Sequence, residues 1–276
     1  DCQTLGMTAD TDDDNDGVAD SVDAYPLNAN VHTAPAGQSA SVALNLLPQT
    51  SNSVSGVVAG TAQDSRAVTY TLVSSPSHSS SFTLNPNTGA YSYATTETVS
   101  RADTFTYTVN DGFVDSATAT ITINLNTDPL YKYQWHLNNT GQTNFATTAG
   151  SSGEDLNVSS QIVAGRTGAG VVVAVVDSGL ELAHEDLAAN IVTNGSYDFV
   201  DNDSDPTPST SGGDHGTSVA GIIAAVGWNN KGVRGVAPAA SLKGFNFLAS
   251  STDANYISTL GGETYSNDVD IFNGSY

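Results

Sequence analysis

The sequence predicts a multidomain chain: an all-β sandwich, followed by an α/β domain on a parallel sheet that is truncated at Tyr276. Three observations predict this. Apolar and polar residues alternate with period two in short runs between residues 68 and 125, as half-buried strands require. From Asp128 onward, apolar β-branched runs alternate with helical stretches of about ten residues, the pattern of a parallel sheet covered on both faces. A chain of 276 residues accommodates both domains and a further segment.

That further segment is residues 1–30. Asp12, Asp14 and Asp16 alternate, Gly17 follows, and Asp20 and Asp23 continue the series. Carboxylates this close repel one another unless a cation compensates them. A hard divalent ion with oxygen ligands, Ca2+, is the simple solution, with Gly17 allowing the loop to turn around it. The spacing resembles a thrombospondin type 3 repeat, with Pro26 closing the unit. It also overlaps the EF-hand loop, although no helix precedes it and Asp23 stands where a bidentate Glu belongs. The competing reading is a disordered acidic linker.

Residues 31–126 read as the β-sandwich. Strands are expected at 68–72, 91–93, 104–109 and 117–125, separated by turn signals at 85–89 and 110–112. Short strands at this density point to an immunoglobulin-like sandwich. The phrases Asn87-Thr-Gly-Ala-Tyr-Ser-Tyr93 and Phe105-Thr-Tyr-Thr-Val-Asn-Asp-Gly112 resemble bacterial cadherin-like repeats. His32 and His78 stand in polar contexts without partners and read as surface residues. Residues 126–128 form the boundary.

In residues 127–276, strands are expected at 170–177, 241–248 and 269–275, with helices at 216–226 and 254–260. Asp177 follows six apolar residues and so emerges at the C-terminal end of a central strand, the edge where such sheets place their sites. Ser178-Gly179 lets the chain turn, His215 begins a helix, and Gly216 gives the backbone room. A serine nucleophile needs a neutral imidazole, and the imidazole needs a carboxylate to fix its tautomer. Asp177 and His215 supply the last two. No later segment offers the nucleophile, so this stretch is expected to be inactive alone.

The stretch 128–276 resembles the subtilisin-like serine proteases, in particular the kexin and furin branch. The phrases that carry the resemblance are Asp128-Pro-Leu-Tyr-Lys-Tyr-Gln-Trp135-His-Leu-Asn, Asp155-Leu-Asn-Val158, Asp177-Ser-Gly179, His184-Glu-Asp186-Leu, Asp214-His-Gly-Thr-Ser-Val-Ala-Gly221, Gly235-Val-Ala-Pro238 and Asp270-Ile-Phe-Asn-Gly-Ser275. It implies that Asp177 and His215 are the charge-relay pair. It also places Ser275 and Tyr276 on an edge strand that pairs with substrate backbone. The oxyanion Asn, the nucleophilic Ser and a following β-domain are implied beyond residue 276. Ser178 departs from the branch, which has a second Asp there that helps read a basic substrate residue; dibasic specificity is therefore not implied.

The resemblance also sharpens two calcium sites that carboxylate crowding points to. One takes the side chains of Asp128, Asp186 and Asn229 with carbonyls of Gly227 (or Val226), Lys231 and Val233. The other takes Asp198, Asp203 and Asp205. His184 and His136 read as structural, since no cysteine or second histidine stands at zinc spacing.

Seven Lys plus Arg against 29 Asp plus Glu give a net charge of −22, which repels nucleic acid and favours a basic polypeptide substrate. No apolar run approaches the ~18 residues of a membrane-spanning helix. Cys2 is the sole cysteine, so the chain forms no internal disulfide. Without a signal peptide or initiating Met, the chain reads as a mature or excised piece. Together with the resemblance, these features imply a secreted or cell-surface bacterial protein, expected to be monomeric, and a calcium-dependent serine endopeptidase in its complete form. The alternative is a non-catalytic, calcium-stabilised surface or adhesion module, against which the intact Asp177 and His215 argue.

Overall fold

The computed structural model describes residues 10–31, 33–47, 51–209 and 213–276; Cys2 and His32 lie outside these. The chain divides between Leu125 and Asn126 into two compact units.

Among its described residues the first unit holds nine strands: β1 (Ala36–Gly37), β2 (Ala40–Asn45), β3 (Asn52–Val57), β4 (Gly60–Thr61), β5 (Thr69–Ser74), β6 (Ser81–Leu84), β7 (Ala90–Thr95), β8 (Arg101–Asn110) and β9 (Ala119–Asn126). They form a four-stranded sheet in the order β2-β9-β8-β5, a three-stranded sheet β3-β7-β6 and the small pair β1-β4. Alternation puts Phe105, Tyr107 and Val109 of β8 and Ala119, Ile121, Ile123 and Leu125 of β9 into one core, with Tyr91 and Tyr93 from β7. The four expected strand runs are present; five further strands carry too many Ser, Gly and Ala residues, or are too short, to register as patterns.

The described part of the acidic segment is not a free linker. Tyr25 is buried and donates its hydroxyl to Asp111, in the turn between β8 and β9. The Arg66 guanidinium lies 5.2 Å from the Tyr25 ring centroid and 4.9 Å from that of Phe113. Val31 is also buried. His78 differs from expectation as well: its backbone N–H donates to Asp103 at 2.8 Å, and its imidazole lies 3.2 Å from Arg101.

The second unit is built on a parallel sheet in the order β11-β12-β10-β13, with β10 Val172–Asp177, β11 Tyr197–Asp198, β12 Ser241–Asn246 and β13 Ile271–Asn273. Its α-helices are α1 (Ser159–Val163), α2 (His215–Ala224) and α3 (Asp253–Ile257). β10 pairs with β12 on one side and β13 on the other, in parallel throughout. Both faces of β10 are covered, as its unbroken apolar run requires. Val173 and Val175 pack with Ala220 and Ala224 of α2, whereas Ala174 and Val176 pack with Phe199, Phe245 and Phe247.

The Gly235-Val-Ala-Pro238 phrase finds its reason at the end of α2. The N–H groups of Gly235, Val236 and Ala237 donate to the carbonyls of Ala225, Ile222 and Ile223 at 2.8–3.0 Å, satisfying groups the helix end leaves open. A Cβ on Gly235 would lie 2.5 Å from the Ala224 backbone, so only glycine permits this approach. Helix α3 stops at Ile257, short of the expected 260, and a wider turn follows over Ser258–Gly262, where Gly261 takes φ +99°.

Candidate active site and metal centres

Asp177 closes β10, fully buried, and His215 opens α2 with its side chain 55% exposed. Nδ1 of His215 lies 2.9 Å from Oδ1 and 3.0 Å from Oδ2 of Asp177. The Ser178 N–H donates to the same carboxylate at 2.7 Å. Gly216 makes the close crossing possible, since a Cβ there would lie 2.1 Å from the Gly179 carbonyl oxygen. Gly179 itself takes φ +115° and could not carry a Cβ, which would meet the Pro206 oxygen at 2.4 Å. The arrangement can hold an imidazole in one tautomer, with its outer edge open to a reacting partner.

Ser275 and Tyr276 do not lie on a strand. β13 ends at Asn273, and both follow it exposed, with the Tyr276 ring 6.1 Å from that of Phe247. The pairing of β13 with β10 runs over Ile271–Asn273 only.

The loop 227–233 is tied to the start of the unit. Asn230 donates its N–H to the Thr127 carbonyl, and Leu130 donates to Gly232. This brings Asp128 and Asp186 to one loop. Asp128 is buried; its Oδ1 accepts the Asn229 N–H at 3.2 Å, and its Oδ2 is buried without a partner. Burial, with the Asp186 charge adding, pushes the Asp128 carboxyl up to about 6, against the pull of the Trp228 and Asn229 N–H groups and Arg234. Asp186 is buried as well, accepting the Asn229 side-chain amide at 2.7 Å and the Val233 N–H at 2.9 Å. Gly232 must be glycine, because a Cβ would lie 2.5 Å from Asp186 Oδ2. Lys231 donates its N–H to Asn229 Oδ1 at 2.9 Å. Lys231 and Val233 thus reach the site residues through their N–H groups, and the Lys231 ammonium lies 3.4 Å from Glu185. Two buried carboxylates, one with an orphaned oxygen, fit a hard cation.

The acidic loop also fits one. Asp12, Asp14 and Asp16 each offer an oxygen within 4.8 Å of the others, the one such three-residue group among the described residues. Oδ2 of Asp14 and Oδ2 of the buried Asp23 lack hydrogen-bond partners. Asp20 accepts the Asp13 N–H at 2.9 Å, which draws the loop closed.

Asp198, Asp203 and Asp205 are not brought together in this way. Asp198 is buried and already satisfied: Oδ1 accepts the N–H groups of Val200 and Asp201, and Oδ2 accepts the Asn246 side-chain amide at 2.8 Å. Asp203 and Asp205 are exposed and accept the N–H groups of Asp205 and Thr207. Asp198 and Asp203 are bridge partners, the Asp198 N–H donating to the Asp203 carbonyl at 2.8 Å, and their carboxylates are engaged with turn N–H groups and the Asn246 amide.

His184 accepts the Asp186 N–H through Nδ1 at 3.2 Å, a structural role. His136 is half-buried, which lowers its pKa. One residue went unnoticed in the sequence: Arg234, 1% exposed, stacks 4.5 Å from the Trp228 ring and donates to the Gly235 carbonyl. A lone Arg in an apolar phrase carries no spacing that would have marked it.

Residues 168–276 match the model of the subtilase family, and residues 32–124 match that of a bacterial Ig domain, the immunoglobulin-like part of the expectation. The extracellular serine protease of Aeromonas sobria is 45% identical over 152 residues, 54% of this chain and 24% of that protein. Furin-like protease 2 of Drosophila melanogaster is 43% identical over 122 residues, 44% of this chain and 7% of that protein. The crystal structure of the Aeromonas sobria serine protease superimposes with a TM-score of 0.52 at 44% identity, over 55% of this chain and 26% of that one. The chain therefore spans about a quarter of the length of the Aeromonas protease it matches. It joins an Ig-like domain, matched over residues 32–124, to a subtilisin-like segment, matched over residues 168–276.

Proposed function

We propose that this chain is part of a secreted bacterial serine endopeptidase of the subtilisin and kexin type, stabilised by calcium, and that Asp177 and His215 are two members of its charge-relay triad. The observation that carries the reading is the 2.9 Å contact between Asp177 and His215 Nδ1, at a parallel strand's end and a helix's start. With Nδ1 donating to the carboxylate, Nε2 is left as the base. It takes the proton of a serine hydroxyl as that oxygen attacks a peptide carbonyl, then returns it to the leaving amine. The Asp177 carboxylate stabilises the imidazolium that forms. The serine comes from a segment outside these 276 residues, so the chain alone is inactive; loss of the nucleophile costs on the order of 10⁶ in rate.

Calcium supplies charge compensation when bound, held by Asp128, Asp186 and Asn229 in the second unit. In the first unit Asp12, Asp14, Asp16, Asp20 and Asp23 hold it as a thrombospondin type 3-like repeat. Substrates are polypeptides, and Ser178 in place of a second acid relaxes any demand for a basic residue before the cleaved bond. Among the described residues no helix is long and apolar enough to cross a membrane. The test is the full-length protein: it cleaves peptides and is inactivated by a serine-directed phosphonylating reagent. Full-length folded protein that neither cleaves nor becomes labelled would refute the reading.

A further inference from the structure

Helix α2 begins without a side-chain cap of its own. Asp214 occupies the N-cap position in helical backbone, φ −87° and ψ −1°, and caps no helix N–H. Aspartate ranks among the best N-cap residues, so by sequence alone the role falls to it. The oxygen that reaches the open end of α2 comes instead from 38 residues earlier. Ser178 Oγ accepts the Gly216 N–H at 3.3 Å and donates to the Gly213 carbonyl at 3.0 Å. Its own N–H donates to Asp177 Oδ1 at 2.7 Å. Ser178 thus touches the carboxylate and also the chain just before and just after the Asp214-His215 pair.

We infer that Ser178 is a positioning residue: it caps α2 from outside the helix, in place of Asp214, and thereby fixes His215 Nδ1 on the Asp177 carboxylate. The chemistry requires a hydroxyl. One group must accept from Gly216 and donate to Gly213, and a carboxylate does only the first while adding a second charge beside Asp177. The space is also limited, since Gly216 and Gly179 already approach as closely as two glycines allow. The catalytic meaning of this cap rests on the proposed charge-relay reading; the cap itself does not.

The test uses the 276-residue chain, isotopically labelled, with the neutral tautomer of His215 read from its side-chain nitrogen shifts. Wild type carries the proton on Nδ1. Ser178→Ala gives a mixture of tautomers and lowers the Tm by about 2–4 °C. Ser178→Thr restores both, and Asp214→Ala leaves both unchanged. In the full-length protein, Ser178→Ala lowers kcat roughly 10- to 100-fold with KM little changed. The inference is overturned if Ser178→Ala keeps the wild-type tautomer, even with a lower Tm, or if Asp214→Ala is the variant that loses it. A full-length wild type without activity, but with a tautomer that depends on Ser178, keeps the cap and removes the protease reading.

Discussion

Asn229 donates its side-chain amide to Oδ1 of Asp186 at 2.7 Å, while Oδ2 of the same carboxylate accepts the Val233 N–H at 2.9 Å. The loop thus closes on Asp186 from two directions, and Asp128 faces the same loop with an oxygen that nothing satisfies. A buried carboxylate of this kind costs stability until a cation joins it.

Calcium should therefore raise the melting temperature of the second unit relative to excess chelator; at 100 times its dissociation constant a ligand adds about 2.7 kcal/mol. Both tryptophans of the chain, Trp135 and Trp228, lie in that unit, so their fluorescence follows it alone. Asp128→Asn should leave the chelated protein as stable as wild type or more so, because it removes an uncompensated charge, and should abolish the rise with calcium. An unchanged calcium response in that variant removes Asp128 from the site.

The acidic segment should contribute to the first unit's stability even without metal. Tyr25 and Val31 are buried, and full burial of a large apolar side chain stabilises by about 1.5–3 kcal/mol. A polypeptide of residues 10–126 should therefore exceed one of residues 31–126, which lacks Tyr25, by about 1.5–3 kcal/mol in urea denaturation, both giving β-type circular dichroism. Equal midpoints at equal slopes would show that the segment does not dock.

Acid should unfold the first unit through Asp103. This carboxylate is buried and accepts the N–H groups of Ser77, His78 and Thr104 at 2.8–2.9 Å and the Tyr93 hydroxyl at 3.1 Å. Burial pushes its pKa up, but the backbone donors of His78, Ser77 and Thr104 and the Tyr93 hydroxyl outweigh it and hold the group below its ordinary value. A folded pKa below the unfolded one means that the stabilisation is present above the unfolded value, about 3.9, and is lost as pH falls through the folded value. Asp103→Asn should lower stability at pH 7 by at least about 2 kcal/mol, as buried donors lose their acceptor, and should flatten the acid limb below about pH 4. A variant with the wild-type acid limb would assign it to other groups.

Legibility in the sequence followed the range of the interaction. β10 stood out because burial on both faces forces an unbroken β-branched run, and Asp177 stood out as the polar residue that ends it. β11, two residues long at Tyr197–Asp198, has no pattern to read. The acids at 198–205 stand out because repulsion can be counted along the chain, whereas the Asn246 amide that reaches Asp198 comes from 48 residues away and carries no sequence signal. The Ser178 cap on α2 was hidden for the same reason, with a plausible local cap, Asp214, in its way. The grouping of Asp128 with the 227–233 loop came only through the family resemblance, since its contact with Asn229 spans 101 residues and leaves no local pattern.

Catalysis in the full-length protein should depend on Asp177 through orientation and on His215 through proton transfer, and the two substitutions separate these roles. Asp177 is fully buried and reaches Nδ1 with both oxygens, so its carboxylate selects the tautomer that leaves Nε2 basic. Asp177→Asn preserves the shape of the site but can donate to Nδ1, which turns the imidazole to the wrong tautomer; turnover should fall about 10⁴-fold with the fold intact. His215→Ala removes the base altogether and should abolish both peptide cleavage and inactivation by serine-directed phosphonylating reagents. Its side chain is half exposed, so the loss of packing is small and Tm should change little. Rates measured on both variants, with circular dichroism as the control for folding, decide the matter. Wild-type cleavage by the His215→Ala protein would show that the pair is not the charge relay.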